Sequence, residues 1–330
     1  MASKSFTDSK IKETVQEGTK PKTMAQKKTF YQNSIFVTLA ATLCCALWGS
    51  ATPFIKIGYQ LILPEQNVAS TILFAGVRFF LAGVLTVLIY SFARRKFLYP
   101  KRKNFGKVSM IALFQTVIQY LFFYIGLSNT TGVKGTVISG SNTFFAILIA
   151  SLVFRQEKLT AKKMIACILG FAGIIVVNLK GLDFTMNFTG DAFVLFSTIA
   201  YAISSVLIKR FSNDEDPVVI SGYQFILGGA FMILVGALMG GVIKLATMNA
   251  IGVLVYLAFL SAIAYALWGI LLKHNPVSKV TVHSFLIPVF GVLLSTLMLT
   301  EQSGVSPMNL GIALVLICVG ITTLNYTKNR

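Results

Sequence analysis

Polar and aromatic side chains recur about one helical turn apart inside several long apolar stretches of this 330-residue chain. Residues three, four or seven apart share one face of an α-helix, so each set would form a stripe able to hold a solute by hydrogen bonds and ring contacts. Such a stripe should face protein or water, because polar groups exposed to hydrocarbon are costly. The candidate binding residues are Trp48, Arg78, Gln115, Gln119, Tyr124, Asn142, Tyr201, Ser204, Tyr265 and Trp268.

Each stripe also has a structural interpretation. Gln115 and Gln119 are four residues apart and would serve equally well in hydrogen bonds between helices. Small-residue stripes, such as the one that ends at Gly49, are more typical of close helix packing than of ligand binding. Trp48 and Trp268 fit either a binding site or an aromatic belt at the membrane surface. The sequence leaves both roles open for these residues.

Arg78 is the charged residue that lies well inside an apolar stretch. An unpaired guanidinium near the bilayer centre costs about 2.5–3.5 kcal/mol on the insertion scale, so this side chain should face protein or water. Its planar fork suits a substrate carboxylate or phosphate. The alternative, favoured on the sequence alone, is a structural link to carbonyls or polar side chains of a neighbouring helix.

His283 is the candidate for proton coupling, because imidazole titrates near neutral pH. A hydrogen-bonded structural histidine is the favoured alternative. Asp and Glu are missing from the middle of every apolar stretch, and the four cysteines have no metal-ligand spacing. The chain also lacks a Gly-rich phosphate loop ending in Lys-Ser/Thr. We therefore expect no cofactor, no metal site and no enzymatic activity.

Ten apolar stretches must position these residues. A helix needs about 20 residues to cross the hydrocarbon layer, and each stretch is about that long. With 55% hydrophobic and 12% charged residues, the chain has too little polar surface to cover a soluble globule. An all-α integral membrane protein with ten transmembrane helices is predicted. The predicted spans are 34–55, 69–91, 108–128, 133–154, 164–180, 190–208, 218–240, 250–271, 280–299 and 308–326.

The basic residues predict the orientation of these spans. Of the 29 Lys and Arg residues, 24 fall in the terminal segments and in alternate loops. By the positive-inside rule, both termini are cytoplasmic and the protein lies in the cell membrane. Segment 1–33 is predicted to be a disordered basic tail near anionic membrane lipids. No nucleic-acid partner is expected, because the topology spreads the net charge of +18 over separate loops.

The two halves of the chain resemble each other, which predicts a repeat at 34–181 and another at 188–327. Each half holds five spans, an odd number, so the second repeat enters the membrane from the opposite side. Inverted repeats supply two related states around a midplane site, which is the geometry of alternating access. The matching positions are Trp48 with Tyr201, Lys56 with Lys209, Arg78 with Gln224, Phe79 with Phe225, and Glu157 with Glu301.

These elements resemble the drug/metabolite transporter superfamily, in its ten-span branch built from two inverted five-helix EamA repeats. The resemblance covers about residues 34–327. It implies a cavity lined by spans 1, 3, 4, 6, 8 and 9, and export rather than import. The family often has a proline in span 4 where this chain has Phe144, so a break in that helix is left open. The residues that carry the resemblance are Leu47-Trp48-Gly49-Ser50, Lys56, Arg78-Phe79, Glu157, Gly170, Gly173, Pro288 and Glu301.

The function predicted from the residues and the resemblance together is transport of a small-molecule substrate, by a monomer or a homodimer. Amino acids, amino-acid-like compounds and drugs all suit the predicted lining. A non-transporting sensor or scaffold with the same fold is the first alternative. An intramembrane enzyme is the least favoured, because two His residues and no deep carboxylate provide little catalytic material.

Overall fold

The computed structural model describes residues 30–179, 185, 187–298 and 306–325. Ten helices in these ranges are long and apolar enough to cross a membrane, and the described residues form no strand. The prediction of an all-α fold with ten transmembrane helices is confirmed. The helices are α1 Ser34–Ile62, α2 Val68–Ala93, α3 Arg102–Leu127, α4 Gly132–Val153, α5 Ala161–Asn178, α6 Phe188–Phe211, α7 Pro217–Leu238, α8 Met248–His274, α9 Val277–Met298 and α10 Pro307–Asn325.

Parts of the predictions lie outside the described residues. These are most of the basic tail, the last residues of span 10, Lys180 and Glu301. Within the described ranges, the largest difference in a helix end is in α1, which continues to Ile62 instead of ending at 55. Lys56 does not end the helix, because a lysine stem can lie along apolar surface while its ammonium reaches a polar region.

Polar side chains fix where many of the helices begin. An Asn, Thr or Asp at the N-cap accepts a hydrogen bond from a backbone N–H of the first turn that has no partner within the helix. In α1, for example, Asn33 Oδ1 accepts from the N–H of Ile35 at 2.9 Å. The residues that cap α1, α2, α4, α6, α7 and α8 in this way are Asn33, Asn67, Thr131, Asn187, Asp216 and Thr247.

The packing of the helices follows the five-helix repeat. Helices α2 and α7 occupy the second position of each repeat and pack against each other, as do α5 and α10 in the fifth position. The contact of α1 with α8 has its counterpart in α6 with α3, and α1 with α9 corresponds to α6 with α4. A two-fold relation between the repeats therefore runs through the whole bundle, and the α2–α7 contact lies next to its axis.

Glycines allow α2 and α7 to approach closely. A Cβ added at Gly229 would lie 2.5 Å from the backbone N of Phe80, and one at Gly76 would lie 2.6 Å from the backbone N of Ile233. Gly222, Gly229 and Gly236 recur every seven residues on α7. This is the small-residue packing typical of membrane helices, which brings the two backbones into contact.

Basic loops meet acidic ones on one side of the bundle. We call this side, with the loops α2–α3, α4–α5, α6–α7 and α8–α9, the basic face, and the other side the opposite face. On the basic face Arg94 forms an ion pair with Asp216, and Lys107 Nζ lies 2.5 Å from Asp214 Oδ2. The hydrogen-bonded Lys107 ammonium lowers the pKa of Asp214 below its usual value. These contacts fix the loop after α2 and the first turns of α3 to the loop after α6.

Two helices at equivalent positions, α4 and α9, are irregular near the middle of the bundle. The α-helix of α4 stops at Gly140 and resumes at Asn142. Helix α9 contains a 3₁₀ segment, Val282–Phe285, ahead of Pro288, whose ring supplies no N–H to the preceding turn. The sequence left open whether α4 is interrupted, because Phe144 replaces the proline common in the family. The structure shows an interruption without a proline, at the pair Gly140-Ser141, and Gly/Ser pairs are known sites of helix kinks.

Candidate functional site

A cavity of about 910 Å³ lies between the two repeats. Its lining comes from α1, α2, α3, α4, α6, α8 and α9, with Asn178 at the end of α5. Thr52 and Lys56 line it and are exposed, so the cavity opens where α1 runs out towards the opposite face. The family resemblance implied a lining from helices 1, 3, 4, 6, 8 and 9. In the structure, α2 also contributes to the lining through Arg78, and α5 contributes through Asn178 at its end.

Most of the predicted binding residues meet at this cavity. Seven of the ten line it, and they come from six different helices. Gln115, Ser204 and Trp268 do not line it, and neither does His283. The seven lining residues are Trp48, Arg78, Gln119, Tyr124, Asn142, Tyr201 and Tyr265.

The local form of α3 separates Gln115 from Gln119. Residues Ala112–Ile118 form a π-helical turn. Because π-helical hydrogen bonds run from i to i+5, residues four apart in this turn no longer share a face as they do in an α-helix. Gln119 therefore lines the cavity, while Gln115 is buried in the protein. The spacing rule that paired them applies to a regular helix only.

Ser204 and Trp268 lie behind the cavity wall. Ser204 Oγ donates to the carbonyl of Tyr201 at 2.7 Å and so satisfies its hydrogen bond within α6. Trp268 is 1% exposed and packs edge-on against Trp48, with ring centroids 4.9 Å apart. Trp268 thus supports a lining side chain and does not itself face the cavity, and neither tryptophan lies in a surface belt.

His283 is enclosed within the 3₁₀ segment of α9. Its Nδ1 lies 3.2 Å from the carbonyl oxygen of Val280, and its own carbonyl accepts from Cys45 Sγ at 3.1 Å. The side chain is fully buried, and Nε2 has no hydrogen-bond partner among the described residues. The next residue, Ser284, does line the cavity.

Aromatic rings connect the two repeats across the cavity. Tyr120 on α3 and Tyr265 on α8 join their hydroxyls at 2.9 Å, and Trp48 packs edge-on against Tyr265 at 5.0 Å between ring centroids. Behind them Phe79 and Phe225 stack at 5.1 Å with an interplanar angle of 5°. The residues of this last pair were matched to each other in the sequence repeat, so the stack is consistent with that register.

Some lining residues were not among the predicted ones. Thr52 and Tyr59 extend the stripe of Trp48 by four and eleven residues, about one and three helical turns. Tyr59 was missed because α1 was predicted to end at residue 55, although the same periodicity continues to it. Thr52 lies within the predicted span, and its position one turn after Trp48 could have identified it. Ser284 was missed for another reason: the 3₁₀ segment changes which residues of α9 face inwards, and the apolar periodicity of the sequence does not mark this change.

Side-chain contacts close the bundle below the cavity, at the basic face. The carboxylate of Glu157, in the loop after α4, accepts hydrogen bonds from Ser278 Oγ at 2.7 Å and from Ser278 N at 3.1 Å. Lys163 Nζ lies 3.2 Å from the same carboxylate. Lys209 Nζ donates to the carbonyl of Asn275 at 2.5 Å, next to the end of α8. The Glu157–Ser278 contact joins one repeat to the other, whereas Lys209 and Asn275 both belong to the second repeat.

Comparisons with known proteins agree with this architecture. The EamA-like transporter family matches residues 35–179 and 188–326. An uncharacterized transporter of Archaeoglobus fulgidus is 27% identical over 270 residues, which cover 80% of this chain and 89% of the relative. The uncharacterized transporter YvbV of Bacillus subtilis is 25% identical over 301 residues, 86% of this chain and 89% of the relative. A protein of known crystal structure shares the fold, with a TM-score of 0.72 at 18% identity over 88% of this chain and 96% of its own.

Proposed function

Because the chain belongs to the EamA-like transporter family, we propose that it carries a small organic metabolite across the cell membrane by alternating access. The substrate is an amino acid, an amino-acid-like compound or a drug-like molecule. The observation that carries the proposal is the cavity of about 910 Å³ between the repeats, which reaches the opposite face and is closed at the basic face. A cavity with access from one side at a time is what alternating access requires.

The positive-inside rule predicts the side of the membrane to which this cavity opens. If the basic face is cytoplasmic, both termini are cytoplasmic and the described conformation faces outwards. We propose export: substrate binds when the basic face opens and leaves through the mouth beside Thr52 and Lys56. The inverted repeats 34–181 and 188–327 would exchange roles between the two states. A monomer already encloses the cavity, and a homodimer would not change this path.

The lining residues divide into two roles. Rings provide stacking surfaces, and amide groups that lack hydrogen-bond partners among the described residues provide hydrogen bonds. Trp48, Tyr124, Tyr201 and Tyr265 form the first group, and Gln119 and Asn142 the second. Gln119 Oε1 and Asn142 Oδ1 are both buried and have no hydrogen-bond donor among the described residues, so each can accept a hydrogen bond from the substrate.

We keep His283 as the candidate for proton coupling, next to the lining residue Ser284. An asparagine can place an N–H near the position of Nδ1 and thus preserve the contact with Val280. His283→Asn should leave transport active and remove its dependence on a proton gradient. Transport that still responds to the gradient would exclude His283 from coupling.

The function is tested with purified protein in proteoliposomes, by counterflow of radiolabelled metabolites. Thr52 and Thr322 form a matched pair: both are exposed, but Thr52 lines the cavity mouth and Thr322 lies on α10 away from it. We expect Thr52→Trp to block counterflow and Thr322→Trp to leave it unchanged. If no metabolite of the screen exchanges through the wild-type protein, the transport proposal fails and a sensor or scaffold remains.

A further inference from the structure

Arg78 places a buried positive charge at the cavity. Resting on the proposed function above, we propose that the cavity selects organic anions, with Arg78 binding a carboxylate and the surrounding rings holding a flat apolar body. Arg78 is 4% exposed yet lines the cavity, and its Nε has no hydrogen-bond partner among the described residues. The guanidinium carbon lies 4.3 Å from the centroid of the Phe79 ring, so one side of the group is covered by protein. The guanidinium also forms a hydrogen bond with the hydroxyl of Tyr120, another lining residue, so it is held in place at the edge of the cavity.

The charges around the cavity favour an anion. No Asp or Glu in the described ranges lines it, whereas two cations do, Arg78 near the centre and Lys56 at the exposed mouth. A substrate ammonium would therefore find no carboxylate partner among the described lining residues and would be repelled by both cations. A carboxylate would meet a guanidinium in a water-poor site, where a charge-assisted hydrogen bond is strong.

The second repeat shows that packing at this position does not need a charge. Gln224, the residue matched to Arg78, is fully buried, and its Oε1 accepts from Thr116 Oγ1 at 2.6 Å. A neutral amide thus serves the structural role there, and it does not line the cavity. Arg78 therefore differs from Gln224 in two ways: it carries a guanidinium, and it lines the cavity.

Tyrosines around Arg78 complete the site. The guanidinium interacts electrostatically with the hydroxyls of Tyr59, Tyr120 and Tyr124, all of which line the cavity. A hydroxyl can donate to the second carboxylate oxygen while Arg78 binds the first. The rings of the same residues, with Trp48, offer the stacking surface for a planar body.

The test uses four compounds with one phenylpropyl skeleton: 3-phenylpropanoate, phenylalanine, 3-phenylpropanamide and 3-phenylpropylamine. Binding to the purified full chain is followed by fluorescence of its two tryptophans, one of which lines the cavity. We expect the carboxylate to bind about 10- to 100-fold more tightly than the amide, as a charge-assisted contact implies, and the amine to bind most weakly. Phenylalanine should fall between, because it carries both charges.

Arg78→Gln, which copies the second repeat, should make carboxylate and amide bind equally while the affinity for the amide stays unchanged. Arg78→Lys should keep part of the preference, and Lys107→Gln, at the basic face, should keep all of it. A preference for the carboxylate that survives Arg78→Gln overturns the proposal, and so does tighter binding of phenylalanine or the amine. If no compound binds, the proposal also fails, while the transport function is judged separately by counterflow.

Discussion

At the residue scale, Glu157 joins the two repeats at the basic face. Its side chain is 8% exposed and accepts two hydrogen bonds from Ser278 across the repeat boundary. Hydrogen bonds to a charged group are worth about 1.5–3 kcal/mol each. Removing the carboxylate should therefore shift the protein towards a state in which the basic face is open.

We predict that Glu157→Ala speeds hydrogen exchange of the Ser278 amide by about 10- to 100-fold, since that amide donates to the carboxylate. Ser278→Ala removes only the hydroxyl contact and should have a smaller effect on the same amide. Glu65→Ala, at an exposed acid on the opposite face, is the control. Unchanged exchange at Ser278 in the Glu157 variant would show that this contact does not hold the face closed.

Helical periodicity in the sequence predicted the cavity-lining residues correctly where the helices are regular. Tyr201 and Tyr265 lie on helices that remain α-helical throughout, and both line the cavity. Gln115 lies in a π-helical turn and is turned away. Ser284 lies in a 3₁₀ segment and was not anticipated. Both irregular turns change the number of residues per turn, so a pattern that assumes 3.6 residues cannot locate side chains beyond them.

At the element scale, the α2–α7 pair is the contact most sensitive to side-chain size. Backbone atoms of Phe80 lie 2.5 Å and 2.8 Å from the position of a Cβ on Gly229, and backbone cannot move aside as a flexible side chain can. Overpacking of this kind typically costs about 1–3 kcal/mol. Since α2 and α7 lie next to the axis that relates the repeats, the loss should affect the whole bundle.

We predict that Gly229→Ala lowers the thermal midpoint of the purified protein, measured by the loss of monodisperse material on gel filtration after heating. Gly311→Ala is the matched control, because a Cβ at that helical position on α10 meets nothing within 4 Å. Alanine favours a helix by up to about 1 kcal/mol over glycine, so the control should be neutral or slightly stabilising. Equal midpoints for the two variants would contradict the close packing of α2 against α7.

The number and order of the helices could be predicted from apolar length alone, and the basic loops made the alternation of faces visible. The interruption of α4 could not be predicted in this way. It lies at Gly140 and Ser141, where the Ser141 hydroxyl donates to the carbonyl of Ile138 at 2.5 Å. Small and hydroxyl residues of this kind also occur inside continuous membrane helices, as Ser261 does in α8, so their presence does not mark a break.

At the scale of the whole molecule, the repeat supplies the second state. The repeat register that matches Trp48 to Tyr201 also matches Thr52 to Ser205, so these two residues are equivalent in the two repeats. Thr52 is exposed at the cavity, whereas Ser205 is 1% exposed and donates to the carbonyl of Tyr201 at 3.1 Å. If the two repeats exchange conformations during transport, the environments of these two residues should exchange as well.

We therefore predict opposite responses of two variants, each with one introduced cysteine, to a membrane-impermeant maleimide. The background replaces the exposed Cys318, while Cys44, Cys45 and Cys167 are buried. Thr52→Cys should react from the outside, and Ser205→Cys from neither side. Adding Glu157→Ala should raise the reactivity of Ser205→Cys from the cytoplasm by about tenfold for a shift of about 1.4 kcal/mol. The reactivity of Thr52→Cys from the outside should fall only slightly, because the outward-facing state remains the major one. Reactivities that rise together, or from the same side, would mean that the repeats do not exchange and that opening of the basic face is local unfolding instead.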